Sequence, residues 1–217
     1  ASSGEWFDSY LVMITHFAEI AQNNSVDVFV VGSELVSSES KAAEWDRTID
    51  AIRRIFRGYL TYSSNWDHYA NIPFWHKLDL VGMNSYWKLG DNHNATVEQI
   101  RGNWTRIQQE LFAFLRRVEK PLLFLEVGWC SIQNAAHEPW DYTRDEVPID
   151  LDLQRRLYEG FFQSWHGNAN LGGFMIWEFL PEYDGDEHRR RVQRGYTPEG
   201  KPAEKVLREW FARPWKP

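Results

Sequence analysis

The stretch PLLFLEVGW, residues 121–129, runs through leucines and a phenylalanine into Glu126 and ends in glycine and tryptophan. An apolar run without alternation is typical of a parallel strand that is covered on both faces. An ionised carboxylate at the end of such a strand costs free energy unless it is hydrogen-bonded or takes part in chemistry. The stretch therefore predicts a buried strand that ends at a functional position.

Four further strand-like segments alternate with helix-like segments along the chain. The strand-like segments are residues 26–35, 58–66, 78–87 and 172–179, and the helix-like segments are residues 6–22, 41–56, 96–118, 151–166 and 202–212. Apolar strands that alternate with amphipathic helices indicate successive β/α units. We predict one α/β domain over residues 1–217, in which the polar stretch 181–201 is a loop before the last helix.

Composition narrows the class of protein and its partners. The chain has 217 residues, of which 43% are hydrophobic and 25% charged, as in globular proteins. A net charge of -7 without a basic stripe argues against a nucleic-acid partner. No apolar run approaches the roughly 20 residues that cross a bilayer, and residues 1–10 lack a signal-peptide pattern. We therefore expect no membrane partner. The histidines lack the spacing of a zinc motif, so we expect no metal site, and we expect no cofactor.

The residues that follow the predicted strands are of the kinds that bind and cleave sugars. Active sites of β/α barrels lie at the carboxyl ends of the strands. The candidates there are Ser33, Glu34, Asn65, Trp66, Asn84, Ser85, Tyr86, Trp87, Glu126, Trp129, Trp177 and Glu178. Each of these tryptophans either stacks on a sugar ring or fills the core, and the sequence leaves both alternatives open. We include Trp129 and Trp177 among the predicted substrate-binding residues.

Glu34 and Glu126 are the predicted catalytic pair. Alone, either glutamate has the ordinary alternative of a solvated or salt-bridged residue. Together they can divide the roles of acid and nucleophile, with carboxyl groups about 5 to 5.5 Å apart in retaining glycosidases and about 6.5 to 9.5 Å apart in inverting ones. Glu178 is a third carboxylate, but alternation along a strand argues against both Trp177 and Glu178 facing inward. Glu178 is therefore predicted to be a rim residue.

Six segments of the chain resemble glycoside hydrolase family 113, the β-mannanase-like family of the retaining clan A. They are VVGSEL, YSSNW, LVGMNSYW, KPLLFLEVGW, GGFMIWEF and GYTPEGKPAEKVL, and they span residues 30–207. The resemblance implies a (β/α)8 TIM barrel of which this chain holds strands 4 to 8. It implies that Glu34 is the acid/base at the end of strand 4 and that Glu126 is the nucleophile at the end of strand 7.

The same resemblance assigns the predicted substrate-binding residues. Tyr86 would hydrogen-bond the nucleophile, Trp177 would form the floor of the subsite for the reacting sugar, and Asn65 and Trp66 would line the cleft. Ser33 stands where most clan A families have an asparagine that bonds the sugar 2-hydroxyl, and family 113 is similar to this chain in having a small hydroxyl residue there.

The length of the chain is the main departure from the family pattern. A complete barrel has about 250 residues, and an open sheet of five barrel strands would expose an apolar interior and two unpaired edges. We therefore expect a truncated sequence, a proteolytic fragment, or a chain that completes its barrel with another copy or chain. The first functional hypothesis is a retaining hydrolase of β-mannan or manno-oligosaccharides. The alternative is a non-catalytic carbohydrate-binding protein or an inactive barrel fragment.

Overall fold

The computed structural model describes residues 3–180, 185 and 192–215, and its helices and strands alternate along the chain. The helices are α1 (Ser3–Asn23), α2 (Val36–Glu39), α3 (Ala42–Ile55), α4 (Val97–Val118), α5 (Leu151–Trp165) and α6 (Pro202–Phe211). The strands are β1 (Val28–Ser33), β2 (Tyr59–Ser64), β3 (Val81–Asn84), β4 (Leu122–Val127) and β5 (Leu171–Ile176). The predicted α/β class is confirmed. Residues 181–184 and 186–191 of the predicted loop 181–201 lie outside the described residues.

The five strands follow the chain order β1-β2-β3-β4-β5 in the sheet. The register is parallel from β1 to β2 and from β2 to β3, as expected when a helical segment connects neighbouring strands. Contacts divide the chain into two compact units, Ala1–Asn84 with Phe114–Leu123 and Ser85–Ala113 with Phe124–Pro217. One domain over residues 1–217 stays a prediction. No helix in the described part of the chain combines the length and apolar character of a membrane span.

The first unit has an aromatic core around Trp45 of α3. This ring is fully buried, stacks on Phe74 at 4.9 Å between centroids and meets Tyr62 of β2 edge-on at 5.4 Å. Such aromatic pairs bury large areas and add directional attraction. Gly32 of β1 lies against the cluster, because a Cβ atom there would approach Trp45 to 2.8 Å. The core of this unit therefore reaches the carboxyl end of β1.

The second unit has its core between α4, α5 and β4. Trp104 of α4 is fully buried and meets Trp165 of α5 edge-on at 5.7 Å. The two helices approach closely at Gly160, where a Cβ atom would lie 2.4 Å from Ile100. The Asp150 carboxylate caps α5 by accepting a hydrogen bond from the Leu153 amide at 2.8 Å.

A buried lysine fixes the chain just before α6. Lys201 is 8% exposed, and its ammonium group donates to Ser131 Oγ and to the Gly195 carbonyl, both at 2.9 Å. Ser131 Oγ in turn donates to the Gln193 carbonyl at 2.7 Å. Burial lowers the pKa of Lys201 to about 8, because a cation loses solvation in the protein interior. These bonds connect the segment after β5 to the segment after β4.

Replacing Gly160 by alanine should destabilise the protein, although alanine favours helices. The added methyl group overlaps Ile100, and overpacking of this kind costs about 1 to 3 kcal/mol. Gly102 of α4 is the matched control, since a Cβ atom there meets nothing within 4 Å, and Gly102→Ala should add about 0.5 to 1 kcal/mol of stability. Urea unfolding measures both. Equal effects of the two substitutions would contradict the close approach of the helices.

Raising the pH should stabilise the wild-type protein relative to Lys201→Met. The folded-state pKa of Lys201 is about 8, below its ordinary value of 10.5. Between these values the unfolded chain holds a proton that the folded chain has released, so stability rises with pH. We expect a relative gain of about 2 kcal/mol between pH 7.5 and 9.5 by chemical denaturation. Lys205→Met, on the exposed face of α6, is the control and should show a constant difference.

Candidate active site

The first predicted catalytic residue, Glu34, follows the last residue of β1. Its backbone has φ of 52°, and its amide donates to the Ser63 carbonyl of β2 at 2.8 Å. A positive φ is uncommon for a residue with a side chain and requires support from its surroundings. The side chain is exposed. The backbone turn at Glu34 therefore sets the direction in which its carboxylate leaves the sheet.

Asn84, the last residue of β3, holds the Glu34 carboxylate. The Asn84 amide nitrogen donates to Glu34 Oε1 at 2.6 Å, and the Asn84 side-chain oxygen accepts from Ser63 Oγ at 2.9 Å. The serine hydroxyl thus fixes which end of the amide faces the carboxylate. Sequence reasoning noted Asn84 at a strand end but did not include it in the predicted site.

The second predicted catalytic residue, Glu126, lies near the end of β4 and is half-buried. The Tyr86 hydroxyl donates to Glu126 Oε2 at 2.5 Å. The main-chain carbonyl of Glu126 accepts from the Ser85 amide at 2.9 Å and from Ser85 Oγ at 2.8 Å. The residues that follow β3 therefore hold both the backbone and the carboxylate of Glu126 in one orientation.

Trp177 lies beside the end of β4 because of a close backbone approach. Its amide donates to the Val127 carbonyl at 2.9 Å, and a Cβ atom on Gly128 would lie 1.8 Å from the Trp177 carbonyl oxygen. Only glycine leaves room for this contact. Trp177 is 40% exposed, so its ring offers a surface to a ligand. The peptide bond between Trp177 and Glu178 is cis.

Trp177 lines a cavity of about 540 Å³ in the second unit. The lining residues are Ile132, Tyr142, Thr143, Arg144, Asp145, Trp177, Glu178, Arg194, Gly195 and Tyr196. This volume falls within the usual range for small-ligand pockets. Trp177 and Glu178 both line the cavity. β5 ends at Ile176, so the alternation of a strand does not apply to these two residues, and the rim position of Glu178 stays a prediction.

Tyr196 is a site residue that sequence reasoning missed. It lines the cavity, its ring centroid lies 6.0 Å from that of Tyr86, and its hydroxyl donates to the Pro139 carbonyl at 2.7 Å. Burial is the largest cause that raises the pKa of Tyr196, and the Glu126 charge adds to it. Tyr196 belongs to the segment GYTPEGKPAEKVL, and the resemblance of that segment to the family is the one sequence signal that could have directed attention to it.

Cys130 lies shortly after the end of β4 and offers no nucleophile at neutral pH. The side chain is buried, and burial raises the pKa of the thiol to about 12. The thiolate is the reactive form of cysteine, and its population falls as the pKa rises. Among the described residues, no group of three or more histidine, cysteine, aspartate or glutamate side chains could hold a metal ion.

Trp129 requires a correction, because the structure places it in the core. It is 0% exposed, and its ring meets Tyr158 edge-on at 5.1 Å and lies 6.3 Å from Phe161. A ring that is covered on every side has no face to stack on a sugar. We therefore remove Trp129 from the candidate substrate-binding residues. Its carbonyl accepts a hydrogen bond from Gln154 of α5 at 2.8 Å, which fits a structural role.

The remaining candidates lie in the first unit, at the carboxyl ends of its strands. Ser33 is exposed at the end of β1, next to Glu34. Asn65 and Trp66 are half-buried and directly follow β2, which ends at Ser64. The carboxyl ends of parallel strands meet at one edge of a sheet, where active sites of this architecture lie. The structure therefore places these three residues at the same end of the strands as Glu34.

The fold and part of the sequence are shared with known glycoside hydrolases. A GH113 β-1,4-mannanase in a complex is 27% identical, with a TM-score of 0.83, over 98% of this chain and 65% of that chain. The GH113 β-mannanase from Alicyclobacillus acidocaldarius is 30% identical, with a TM-score of 0.80, over 96% of this chain and 63% of that chain. The β-glucuronidase of Ruminococcus gnavus, 13% identical with a TM-score of 0.67, shares the fold alone. No match was found among curated proteins.

The chain thus spans 63 to 65% of the length of the two mannanase chains. The model of Glycoside Hydrolase Family 113 matches residues 1–201, which is most of the 217 residues. This match agrees with the five parallel strands and with the resemblance of the six sequence segments. The chain belongs to glycoside hydrolase family 113.

Proposed function

We propose that the protein is a retaining glycoside hydrolase that cleaves β-linked sugars, with β-mannan or manno-oligosaccharides as its substrates. Membership of glycoside hydrolase family 113 supports the reaction class. The similarity to two solved mannanases of that family supports the choice of sugar. The polymer or oligosaccharide is the partner that this proposal implies.

The observation that carries the proposal is that separate side chains hold the two carboxylates. Asn84 donates to Glu34 at 2.6 Å, and Tyr86 donates to Glu126 at 2.5 Å. Asn84 and Tyr86 are separated by one residue in the chain. Their nearness in the sequence supports pairing the two glutamates in one reaction.

The proposed reaction is a double displacement. A Glu126 oxygen attacks the anomeric carbon while the glycosidic bond breaks, and the departing oxygen takes the proton of Glu34. The resulting glycosyl ester on Glu126 is then hydrolysed. Glu34, now a carboxylate, removes a proton from the attacking water, and the Glu126 carboxylate is released. Two inversions at the anomeric carbon give net retention of configuration.

The other candidate residues orient these groups and the sugar in the proposal. The Tyr86 hydrogen bond fixes the plane of the nucleophile, and Asn84 fixes the acid/base. The half-exposed Trp177 ring stacks on the apolar face of the reacting sugar. Ser33 contacts a sugar hydroxyl, and Asn65 and Trp66 line the cleft.

Replacing Glu126 by alanine should abolish turnover of manno-oligosaccharides. The loss removes the atom that forms the covalent intermediate, so we expect kcat to fall by about 10³-fold or more. Added azide should restore part of the activity with an activated aryl β-mannoside, because the small anion fits the space that the carboxylate leaves. The product should be a glycosyl azide of inverted anomeric configuration, which NMR identifies.

Glu110→Ala is the matched control, since it removes an exposed glutamate of α4, and it should leave kcat unchanged. Full activity of Glu126→Ala would contradict the nucleophile assignment. Sugar binding by calorimetry without release of reducing ends from the wild-type protein would instead support the non-catalytic alternative. A crystal structure with Glu34 and Glu126 carboxyl groups beyond about 10 Å would contradict the retaining pair.

A further inference from the structure

A buried carboxylate that the proposed reaction does not use follows Glu34 closely in the sequence. Glu39 is at the end of the short helix α2 and is only 5% exposed. A buried carboxylate costs free energy unless hydrogen bonds compensate for its lost hydration. The hydrogen bonds of Glu39 therefore indicate which part of the structure depends on this buried carboxylate.

Tyr62 of β2 connects Glu39 to the backbone next to Glu34. The Tyr62 hydroxyl donates to Glu39 Oε1 at 2.9 Å and accepts from the Leu35 amide at 2.8 Å. His68 Nδ1 lies 3.3 Å from the other Glu39 oxygen. Burial and the Glu39 charge raise the pKa of Tyr62. The phenol therefore keeps its proton near neutral pH and keeps donating to Glu39.

The hydrogen bond from the Leu35 amide to Tyr62 stabilises the backbone next to Glu34, which has an unfavourable conformation. Glu34 has φ of 52°, a region that costs free energy for residues other than glycine. β2 provides two consecutive hydrogen bonds to this turn, because the Glu34 amide donates to the Ser63 carbonyl and the Leu35 amide donates to the Tyr62 hydroxyl, both at 2.8 Å. Only the second of these depends on a side chain.

The Tyr62 hydroxyl has no freedom to relocate. The ring is fully buried, meets Trp45 edge-on at 5.4 Å and meets Phe74 edge-on at 5.3 Å. A ring fixed on these sides holds its oxygen at one point. The α2 turn is also closed from within, since Ser38 Oγ donates to the Leu35 carbonyl at 2.8 Å.

We infer that Tyr62, oriented by Glu39, is a positioning residue for Glu34: it fixes the peptide between Glu34 and Leu35 in the conformation that presents the Glu34 carboxylate to Asn84. Tyr62 acts through the backbone and touches no reacting atom. The effect on reaction rates rests on the proposed function, because it requires Glu34 to be the general acid. The effect on the backbone conformation at Glu34 does not depend on that function.

Tyr62→Phe tests the inference because it deletes only the hydroxyl oxygen. A manno-oligosaccharide has a poor leaving group and needs the proton of Glu34, whereas 2,4-dinitrophenyl β-mannoside has a leaving group that needs almost none. General acid catalysis contributes about 10² to 10⁴-fold. We therefore expect kcat/KM for the oligosaccharide to fall by about 10-fold or more, and kcat/KM for the aryl mannoside to change by less than about 3-fold.

Two matched variants control this experiment. Tyr59→Phe makes the same change on the same strand at a side chain that is 60% exposed, and both kcat/KM values should remain unchanged. Glu39→Leu should reproduce the selective loss, and Glu39→Gln should recover most of it, because glutamine still presents an oxygen to Tyr62. Equal losses with both substrates in Tyr62→Phe would indicate general damage to the fold and would overturn the inference.

Amide hydrogen exchange measured by NMR tests the same inference without any activity. In Tyr62→Phe the Leu35 amide should exchange at least about 10-fold faster, and the side-chain amide signals of Asn84 should shift, while Tyr59→Phe changes neither. A wild-type protein that cleaves neither substrate would contradict the proposed function, and these signals would still decide the positioning. Unchanged Leu35 exchange and Asn84 signals in Tyr62→Phe would overturn it.

Discussion

A carboxylate at the end of an apolar strand has to be hydrogen-bonded, and this requirement organises the polar residues of both units. Glu126 ends a strand of leucine and phenylalanine, and Tyr86 and Ser85 satisfy its carboxylate and its carbonyl. In the first unit, the Glu34 carboxylate receives the amide of Asn84, whose orientation Ser63 sets. Residues that follow the neighbouring strand β3 hold Glu126, and the last residue of β3, oriented by Ser63 of β2, holds Glu34. Residues at the strand ends thus orient both carboxylates.

The strands and long helices could be predicted because their cause is local. In α4, apolar residues recur every three or four positions, and the predicted helix 96–118 differs from the observed Val97–Val118 by one residue. The position of Glu34, Glu126 and Trp177 after apolar runs makes them candidates from sequence alone, and their roles stay predictions. Trp129 was misassigned because the same rule cannot tell which rings turn into the core once the strand has ended. Asn84 and Tyr196 were missed because their contacts depend on chain segments that are distant in the sequence.

Two glycines allow close contacts that position aromatic residues, Gly128 next to Trp177 of the candidate site and Gly32 next to the buried cluster of Trp45 and Tyr62. At Gly128 the absence of a side chain lets β4 and the residues after β5 meet, which places Trp177 beside the strand end that carries Glu126. At Gly32 the same absence lets β1 contact Trp45 and Tyr62. A side chain at either glycine would displace backbone or a packed ring. Packing and site geometry are therefore set by the same positions.

Buried polar groups hold the loops that follow the strands, at a cost in stability. Lys201 and Glu39 are almost fully buried, and each gives up hydration that an exposed residue would keep. In return, Lys201 ties the Gly195 carbonyl to Ser131, and Glu39 orients the hydroxyl that binds the Leu35 amide. Both contacts act on backbone next to a candidate site residue, Tyr196 in one case and Glu34 in the other. A loop has few apolar contacts with which to fix its shape, so a directional bond from a rigid, buried group does this instead.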